Sequence, residues 1–295
     1  MLAARHMNKL PAIPKRLLLC TDFDETITHQ DTTSILFVLA ANSYGQLVTQ
    51  YEDEASELLK RYEAQWQQTS SRNFDSAGLH EFLEGYALVD LRSHYRVVAS
   101  RVLQGIPHQE LAKAARNVEI RPNVVETLQL ADDWKIISAN WSTEVVRTVM
   151  LQAGVATETT HIISNELKVD EQGMTTGEID VKVQSAVDKA KWIKKLRAKD
   201  TESTIVYVGD SATDLLALLA ADVGIWVAPD TATTSATLLQ KLVDNYGVDT
   251  HPLFGYTSLR DCVAKASDAA NERPVLFTMT EWARLKAVAE GHFQN

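Results

Sequence analysis

Four short stretches carry side chains that could act together on an anion. Asp22-Phe23-Asp24-Glu25-Thr26 sets two carboxylates two positions apart, and Ser138-Ala139-Asn140 offers a hydroxyl and an amide. Lys189 adds a cation at a helix start, and Gly209-Asp210-Ser211-Ala212-Thr213-Asp214 brings two further carboxylates. Carboxylates at i and i+2, joined by a third from another segment, suit a hard divalent cation such as Mg²⁺. That ion is typically held by one or two carboxylates plus substrate phosphate. Lys189 and Ser138 would supply a positive charge and a hydroxyl to the oxyanion.

Such residues act together only if the fold brings them to one place. Arg16 to Asp22 (RLLLCTD) is a short apolar run ending in a carboxylate, the pattern of a buried parallel strand. Lys135 to Ser138 (KIIS), Thr204 to Asp210 (TIVYVGD) and Val223 to Val227 (VGIWV) have the same texture. Helical patterns at Val124 to Leu130, Glu144 to Ala153, Lys189 to Ala198 and Leu215 to Ala221 separate them. Alternating strand and helix predicts an α/β chain with a parallel sheet, whose ligands lie outside the carboxyl ends of the strands. The four stretches would meet at that edge.

Between the first strand and the helix before the second, Thr32 to Glu119 reads as helical throughout. Ile35, Leu36, Val38 and Leu39, then Leu58, Leu59, Tyr62 and Trp66, then Leu91, Tyr95, Val98 and Leu103 recur at helical spacing. So long an insertion exceeds an ordinary crossover and predicts a separate lobe, with a plain covering of the sheet as the other reading. His161 to Val183 alternates around Glu171-Gln172-Gly173, a hairpin signal. From Thr231 the chain reads as mostly helical, with Val275 to Thr278 (VLFT) as a possible last strand.

Composition sets outer bounds. With 45% apolar and 23% charged residues in 295, the chain is expected to fold as a large domain or a core with a second lobe. The formal charge, 29 − 39 = −10, disfavours a nucleic-acid partner without a local basic patch, and none is apparent. No apolar run approaches the roughly 18–20 residues of a membrane span. Two cysteines, Cys20 and Cys262, are too few for a disulfide framework and fit a reducing compartment, hence a cytoplasmic location. The first residues hold Arg5, Lys9, Lys15 and Arg16 without an acid, but Pro11 and Pro14 break an amphipathic helix, so residues 1–15 are expected to be a disordered lead-in.

DFDET, ISAN, the Lys-Ala helix start at Lys189 and VGDSATD, in this order, resemble the four motifs of the haloacid dehalogenase superfamily. The 116 residues from Asp22 to Ser138 are similar to members with a helical cap between the first two motifs, as in phosphoserine-phosphatase-like enzymes. The resemblance implies a Rossmann-like core over residues 16–31 and 120–295 and a helical cap over 32–119. It implies Asp22 as nucleophile, forming an aspartyl-phosphate, and Asp24 as general acid and then base. The superfamily's dehalogenases lack a carboxylate at the Asp24 position, so the expected activity is a Mg²⁺-dependent phosphomonoesterase acting on a small phosphate ester. Mg²⁺ would be held by Asp22, the Asp24 backbone carbonyl and Asp210. Ser138, Asn140 and Lys189 would bind phosphate, and Asp214 would orient Lys189 or a metal-bound water. VGDSATDLLALLAADVGIWV and FTMTEWARLKAVAEG look most like the phosphatase half of plant thiamine monophosphate phosphatases, which makes that ester a candidate substrate. Ala139-Asn140 stands where phosphoserine phosphatases have Gly-Gly. A phosphotransferase or mutase of the same fold, and a non-catalytic binding module, are the alternatives.

Taken singly, each residue has a plainer reading. Asp22 and Asp24 could be turn residues, Ser211 with Asp214 a capping box, and Lys189 a solvated face beside Lys191, Lys194 and Lys195. Asn140 could serve phosphate or only local turn bonding. Trp66, Tyr62, Tyr86, Tyr95 and Arg96 could meet substrate or belong to the lobe's own packing.

Overall fold

The computed structural model describes residues 16–40, 43–67, 73–158, 160–228, 234–269 and 273–291; the expected lead-in, 1–15, lies outside them. The strands, in chain order, are β1 (Arg16–Thr21), β2 (Gln104–Pro107), β3 (Asp133–Ile137), β4 (Ile162–Ile163), β5 (Glu166–Val169), β6 (Met174–Asp180), β7 (Ser203–Gly209), β8 (Val223–Val227), β9 (Asp249–Pro252) and β10 (Val275–Met279). The helices are α1 (Thr33–Leu39), α2 (Gly45–Trp66), α3 (Ser76–Ser100), α4 (His108–Ala115), α5 (Val124–Gln129), α6 (Thr143–Gln152), α7 (Ala186–Lys199), α8 (Leu215–Ala220), α9 (Thr234–Tyr246), α10 (Leu259–Ala269) and α11 (Trp282–Glu290).

Seven strands form one sheet in the order β4-β3-β1-β7-β8-β10-β9, and every neighbouring pair is parallel. Strands β7 and β8 are buried along their whole lengths, as their unbroken apolar runs require of strands covered on both faces. Side chains divide with period two. Leu17, Leu19, Val206 and Val208 join one core cluster, whereas Leu18, Cys20, Ile205 and Tyr207 join the other. β1 lies between β3 and β7, with Thr21 opposite Ile136 and Val208, so its carboxyl end opens at the middle of the sheet.

The long insertion begins with α1, α2 and α3, and α2 packs along α3. It is not helical throughout, contrary to expectation. β2 pairs antiparallel with β6 of the β5–β6 hairpin, forming a three-stranded sheet, and α4 then packs on α6 of the core. Only Ile106 of β2 is buried, so four residues reading QGIP show no alternation that would betray a strand. β9, reading DTHP, escapes sequence reading for the same reason. The hairpin turns where expected. Gly173 N–H donates to Asp170 O, and Asp170 N–H to Met174 O, with Gly173 in the left-handed region at φ 78°, which costs glycine little.

Candidate active site

Asp22 is the first residue beyond β1, and its N–H still donates to Val208 O of β7 at 2.8 Å. The chain then turns tightly: the N–H of Ile27 donates to Phe23 O at 2.9 Å, while Phe23 and Ile27 are buried beneath the turn. Glu25 takes a left-handed conformation, φ 56°, which costs a non-glycine residue on the order of 1–3 kcal/mol and persists only where the surroundings enforce it. They do so from both sides. Arg121 donates its N–H to Ile27 O (2.7 Å) and its guanidinium to Glu25 O (3.1 Å) and Thr28 O (3.3 Å), while Trp282 Nε1 donates to Thr26 O (3.0 Å). Thr26 Oγ1 in turn donates to Asp210 Oδ1 at 2.7 Å, joining the loop after β1 to the loop after β7.

Lys189 lies in the first turn of α7, which starts three residues before it at Ala186, with the Ser185 side chain accepting from Asp188 N–H. Lys189 is 1% exposed, so the solvated-face reading does not hold for it. Its Nζ lies 2.9 Å from Asp22 Oδ2 and 2.7 Å from Asp214 Oδ1. Asp214 Oδ1 also accepts from Tyr207 OH at 2.7 Å, and Asp214 Oδ2 from Ser211 N–H and Oγ at 3.1 and 2.9 Å. Asp214 therefore closes a capping box with Ser211 and holds Lys189 at once. Gly209 makes room for this: a Cβ there would stand 2.4 Å from Asp214 Cγ.

Asp24 faces the other way. Its Oδ1 accepts from Thr32 N–H (2.8 Å) and Oγ1 (2.5 Å), and its Oδ2 from Asn140 Nδ2 (2.9 Å). The Asn140 amide also donates to Thr32 Oγ1 at 2.9 Å, and its Oδ1 accepts from Ser142 N–H at 2.9 Å. Both ends of Asn140 are thus committed to protein partners. Ser138 Oγ accepts the Asn140 N–H at 3.1 Å. Thr32, eight positions from Asp24, has no motif to announce it.

These residues line a pocket of about 170 Å³ that includes Asp22, Asp24, Ser138, Asn140, Lys189 and Asp210. Its electrostatics are crowded. Burial raises the Asp22 carboxyl to about 7, against the opposing effect of Lys189, and Asp214 and Asp24 add to the rise. Burial, then Asp31, raises Asp24 to about 6 despite bonds from Thr32 and Asn140. Asp210 is pushed well above the carboxylate range by burial and then by Asp214 and Asp22. Burial disfavours the Lys189 charge, but Asp214 and Asp22 outweigh it and raise its pKa. One ammonium does not balance this set of carboxylates.

A cation would. Ligand oxygens of Asp22, Asp210 and Asp214 lie within 4.8 Å of one another, and Asp22 Oδ1 is buried without a hydrogen-bond partner among the described residues. Asp214 has both oxygens occupied by Lys189, Tyr207 and Ser211, which leaves Asp22 and Asp210 as the carboxylates that fit a hard divalent ion.

A second cavity, about 340 Å³, adjoins the first and shares Asp31, Thr33, Ala139 and Thr213 with it. The lobe residues singled out from sequence lie elsewhere. Tyr62, Trp66 and Tyr86 pack around Phe82, Tyr95 is 63% exposed, and Arg96 pairs with Glu54 at 2.6 Å. The cavity instead takes Phe37, Tyr51, Asp90 and His94 from the insertion, with Trp141 from the core. Two of these had a readable signal: Trp141 directly follows Asn140, and Asp90 interrupts the apolar run Leu88-Val89-Asp90-Leu91.

Comparison with known proteins gives this arrangement relatives. Residues 19–219 match the family described as haloacid dehalogenase-like hydrolase. The bifunctional TH2 protein, mitochondrial, of Arabidopsis thaliana is 26% identical over 316 aligned positions, which cover 93% of this chain and 49% of that protein. The chain thus spans about half the length of that relative. A CTO1 family protein of Schizosaccharomyces pombe is 24% identical over 67% of this chain and 77% of its own. A solved substrate complex of phosphoserine phosphatase is similar at 17% identity and a TM-score of 0.46, covering 77% of this chain and 90% of that one.

Proposed function

Because the chain belongs to the haloacid dehalogenase-like hydrolase family, we propose that it is a Mg²⁺-dependent phosphomonoesterase that hydrolyses a small phosphorylated metabolite through an aspartyl-phosphate on Asp22. One observation carries this reading. Asp22 presents one oxygen to Lys189 at 2.9 Å and keeps the other without a partner among the described residues, in a pocket that also holds Asp24.

A carboxylate attacking a phosphate monoester meets repulsion of roughly 4 kcal/mol for each unit-charge pair at about 4 Å in an effective dielectric near 20. Asp22, the Asp24 backbone carbonyl and Asp210 would hold Mg²⁺, which would supply the charge that offsets this. Lys189 adds a third positive charge, fixed by Asp214, and Ser138 Oγ, which accepts from Asn140 N–H, has its own proton to give a phosphate oxygen. A carboxylate oxygen of Asp22 bonds to phosphorus as the ester P–O bond breaks, and Asp24 gives its proton to the departing alkoxide. Asp24 then takes a proton from water as that oxygen attacks phosphorus, the Asp22–phosphorus bond breaks, and inorganic phosphate leaves. A carboxyl raised to about 6 is suited to both halves, since an acid works best with a pKa near the operating pH. Asn140 serves here by holding Asp24 rather than by binding phosphate.

Thiamine monophosphate is the first substrate to try, supported by the likeness of VGDSATDLLALLAADVGIWV and FTMTEWARLKAVAEG to plant thiamine monophosphate phosphatases. A cytoplasmic location is supported by Cys20 and Cys262, which are buried, unpaired thiols; the Arabidopsis relative is by name mitochondrial. No helix among the described residues is long and apolar enough to cross a membrane. The test is phosphate release over a panel of metabolite monoesters, with Mg²⁺ or with chelator. Release that needs the metal is expected, and no release from any monoester would defeat the reading.

A further inference from the structure

Four successive carbonyl oxygens in the loop after β1 are held by two residues remote in sequence. Glu25 O and Thr28 O accept from the Arg121 guanidinium at 3.1 and 3.3 Å, and Ile27 O accepts from the Arg121 N–H at 2.7 Å. Thr26 O accepts from Trp282 Nε1 at 3.0 Å. The two anchors share a base. Arg121 stands three residues before α5, Trp282 opens α11, and these helices pack on each other. Arg284 pins α11 in turn, its guanidinium donating to Leu253 O, Phe254 O and Tyr256 O at 3.3, 2.6 and 2.7 Å.

The anchors differ in what lies beyond the carbonyl. Arg121 reaches backbone oxygens, whereas the residue that Trp282 holds carries a hydroxyl, and this donates to Asp210 Oδ1 at 2.7 Å. A path of two hydrogen bonds thus runs from α11 to a carboxylate that fits the metal. Groups that bond to a metal ligand from behind fix its orientation. Thr26 also adjoins Glu25, whose left-handed φ of 56° sets the plane of the peptide carrying the Asp24 carbonyl, because a peptide turns as one rigid unit about that bond. The Glu25 N–H of this same peptide donates to Thr28 Oγ1 at 3.1 Å. Release of Thr26 therefore reaches Asp210 and the Asp24 carbonyl together, while Asp22 keeps its own bond to β7.

Filling the core, the plainer role of Trp282, needs its ring and not its nitrogen. The indole is 1% exposed and belongs to the same core cluster as Phe23 and Ile27. We propose that Trp282 is a positioning residue of the metal site, whose indole N–H acts through Thr26 to hold Asp210 and the Asp24 carbonyl in place for a divalent cation. The proposal rests on the reading of Asp22, Asp24 and Asp210 as a Mg²⁺ site.

Trp282→Phe keeps a buried ring and removes the donor. Calorimetry on the full-length protein with Mg²⁺ alone should show binding weakened about tenfold, the lower end of the loss that follows when a ligand's supporting partner is removed. At saturating Mg²⁺ the kcat for a responsive monoester should fall while its KM stays within about twofold. Leu285→Ala is the control: Leu285 is as buried on the same helix, and its aliphatic side chain donates no hydrogen bond. It should lower the melting temperature at least as far and leave Mg²⁺ binding as in the wild type. Thr26→Val cuts the same path at its second bond, so it should weaken Mg²⁺ binding as much as Trp282→Phe, and the double variant should lose no more than either single one. Wild-type Mg²⁺ binding in Trp282→Phe, losses that add in the double variant, or, if Trp282→Phe does not fold, unaltered binding in Thr26→Val would overturn the proposal, while Mg²⁺-dependent turnover would keep the phosphatase reading. A wild-type protein that binds no Mg²⁺ would overturn it too. Weakened Mg²⁺ binding in both variants without turnover of any monoester would uphold the positioning role and remove the phosphatase reading instead.

Discussion

The pocket around Asp22 and the cavity beside Asp90 share residues yet are built on opposite terms. Around Asp22 nearly every polar atom is fixed: Lys189 between two carboxylates, Asp214 with both oxygens occupied, Asp24 held by Thr32 and Asn140. Around Asp90, among the described residues, one tyrosine bond serves the carboxylate, and the walls mix Phe37, Tyr51, His94 and Trp141 with aliphatic side chains and the polar Ser93, Asn165 and Gln184. Chemistry that is the same for every ester can be locked in advance, because transition-state charge always develops at the same atoms. Selection of an alcohol needs a shaped apolar slot with one or two polar anchors.

The sharpest way to break this comparison is Asp22→Asn. An amide cannot accept the phosphoryl group, so turnover of a generic aryl phosphate should fall on the order of 10³-fold or more while the protein stays folded. Retention of more than about a tenth of the activity would exclude the covalent route. Asp24→Asn comes next, with a loss of roughly 10²–10⁴ for alkyl esters and much less for aryl esters, whose phenolate leaves unaided. Equal losses would take the acid role away from Asp24.

Lys189→Ala tests the locked side through stability. It strands Asp22 and Asp214 as buried charges, which in general costs about 3–5 kcal/mol, and denaturant unfolding should register a loss of that order together with weaker phosphate binding. Lys191→Ala removes only an exposed pair with Asp188 and should stay within about 0.5 kcal/mol. The reverse order would put the wrong lysine in the site. The smallest effect belongs to the other side. A carboxyl whose pKa rises on folding, here that of Asp90, pushed up by burial from 3.8 to about 7, makes the folded state lose stability as pH climbs through that window. Asp90→Asn does not titrate, so it should melt a few degrees above the wild type at pH 8 and level with it near pH 4. An unchanged difference across pH would mean that Asp90 is not desolvated.

How much of this was legible in the sequence follows the same division. Asp22, Ser138 and Asp210 could be read because each ends an unbroken apolar run, and such runs become buried parallel strands with their ends aligned. Lys189 was readable by order along the chain, though not its depth, since Lys191, Lys194 and Lys195 nearby look identical in one dimension. Thr32, Arg121 and Trp282 act through contacts remote in sequence that no local pattern encodes. The cavity lining was illegible for another reason. Aromatic residues at helical spacing describe an amphipathic face equally well whether it covers Phe82 or a ligand, and of the two readings open for Tyr62, Trp66 and Tyr86 the structure shows packing around Phe82.

The bond from Trp282 to Thr26 spans 256 positions. At ribosomal rates of roughly 5–20 residues per second, tens of seconds separate the synthesis of the DFDET loop from that of the indole that clasps it. Until then Glu25 has no clamp from that side to hold its left-handed turn, and Asp22 and Asp24 lack their final spacing. A nascent chain stalled before Trp282 should therefore carry every motif of the enzyme and still be catalytically silent.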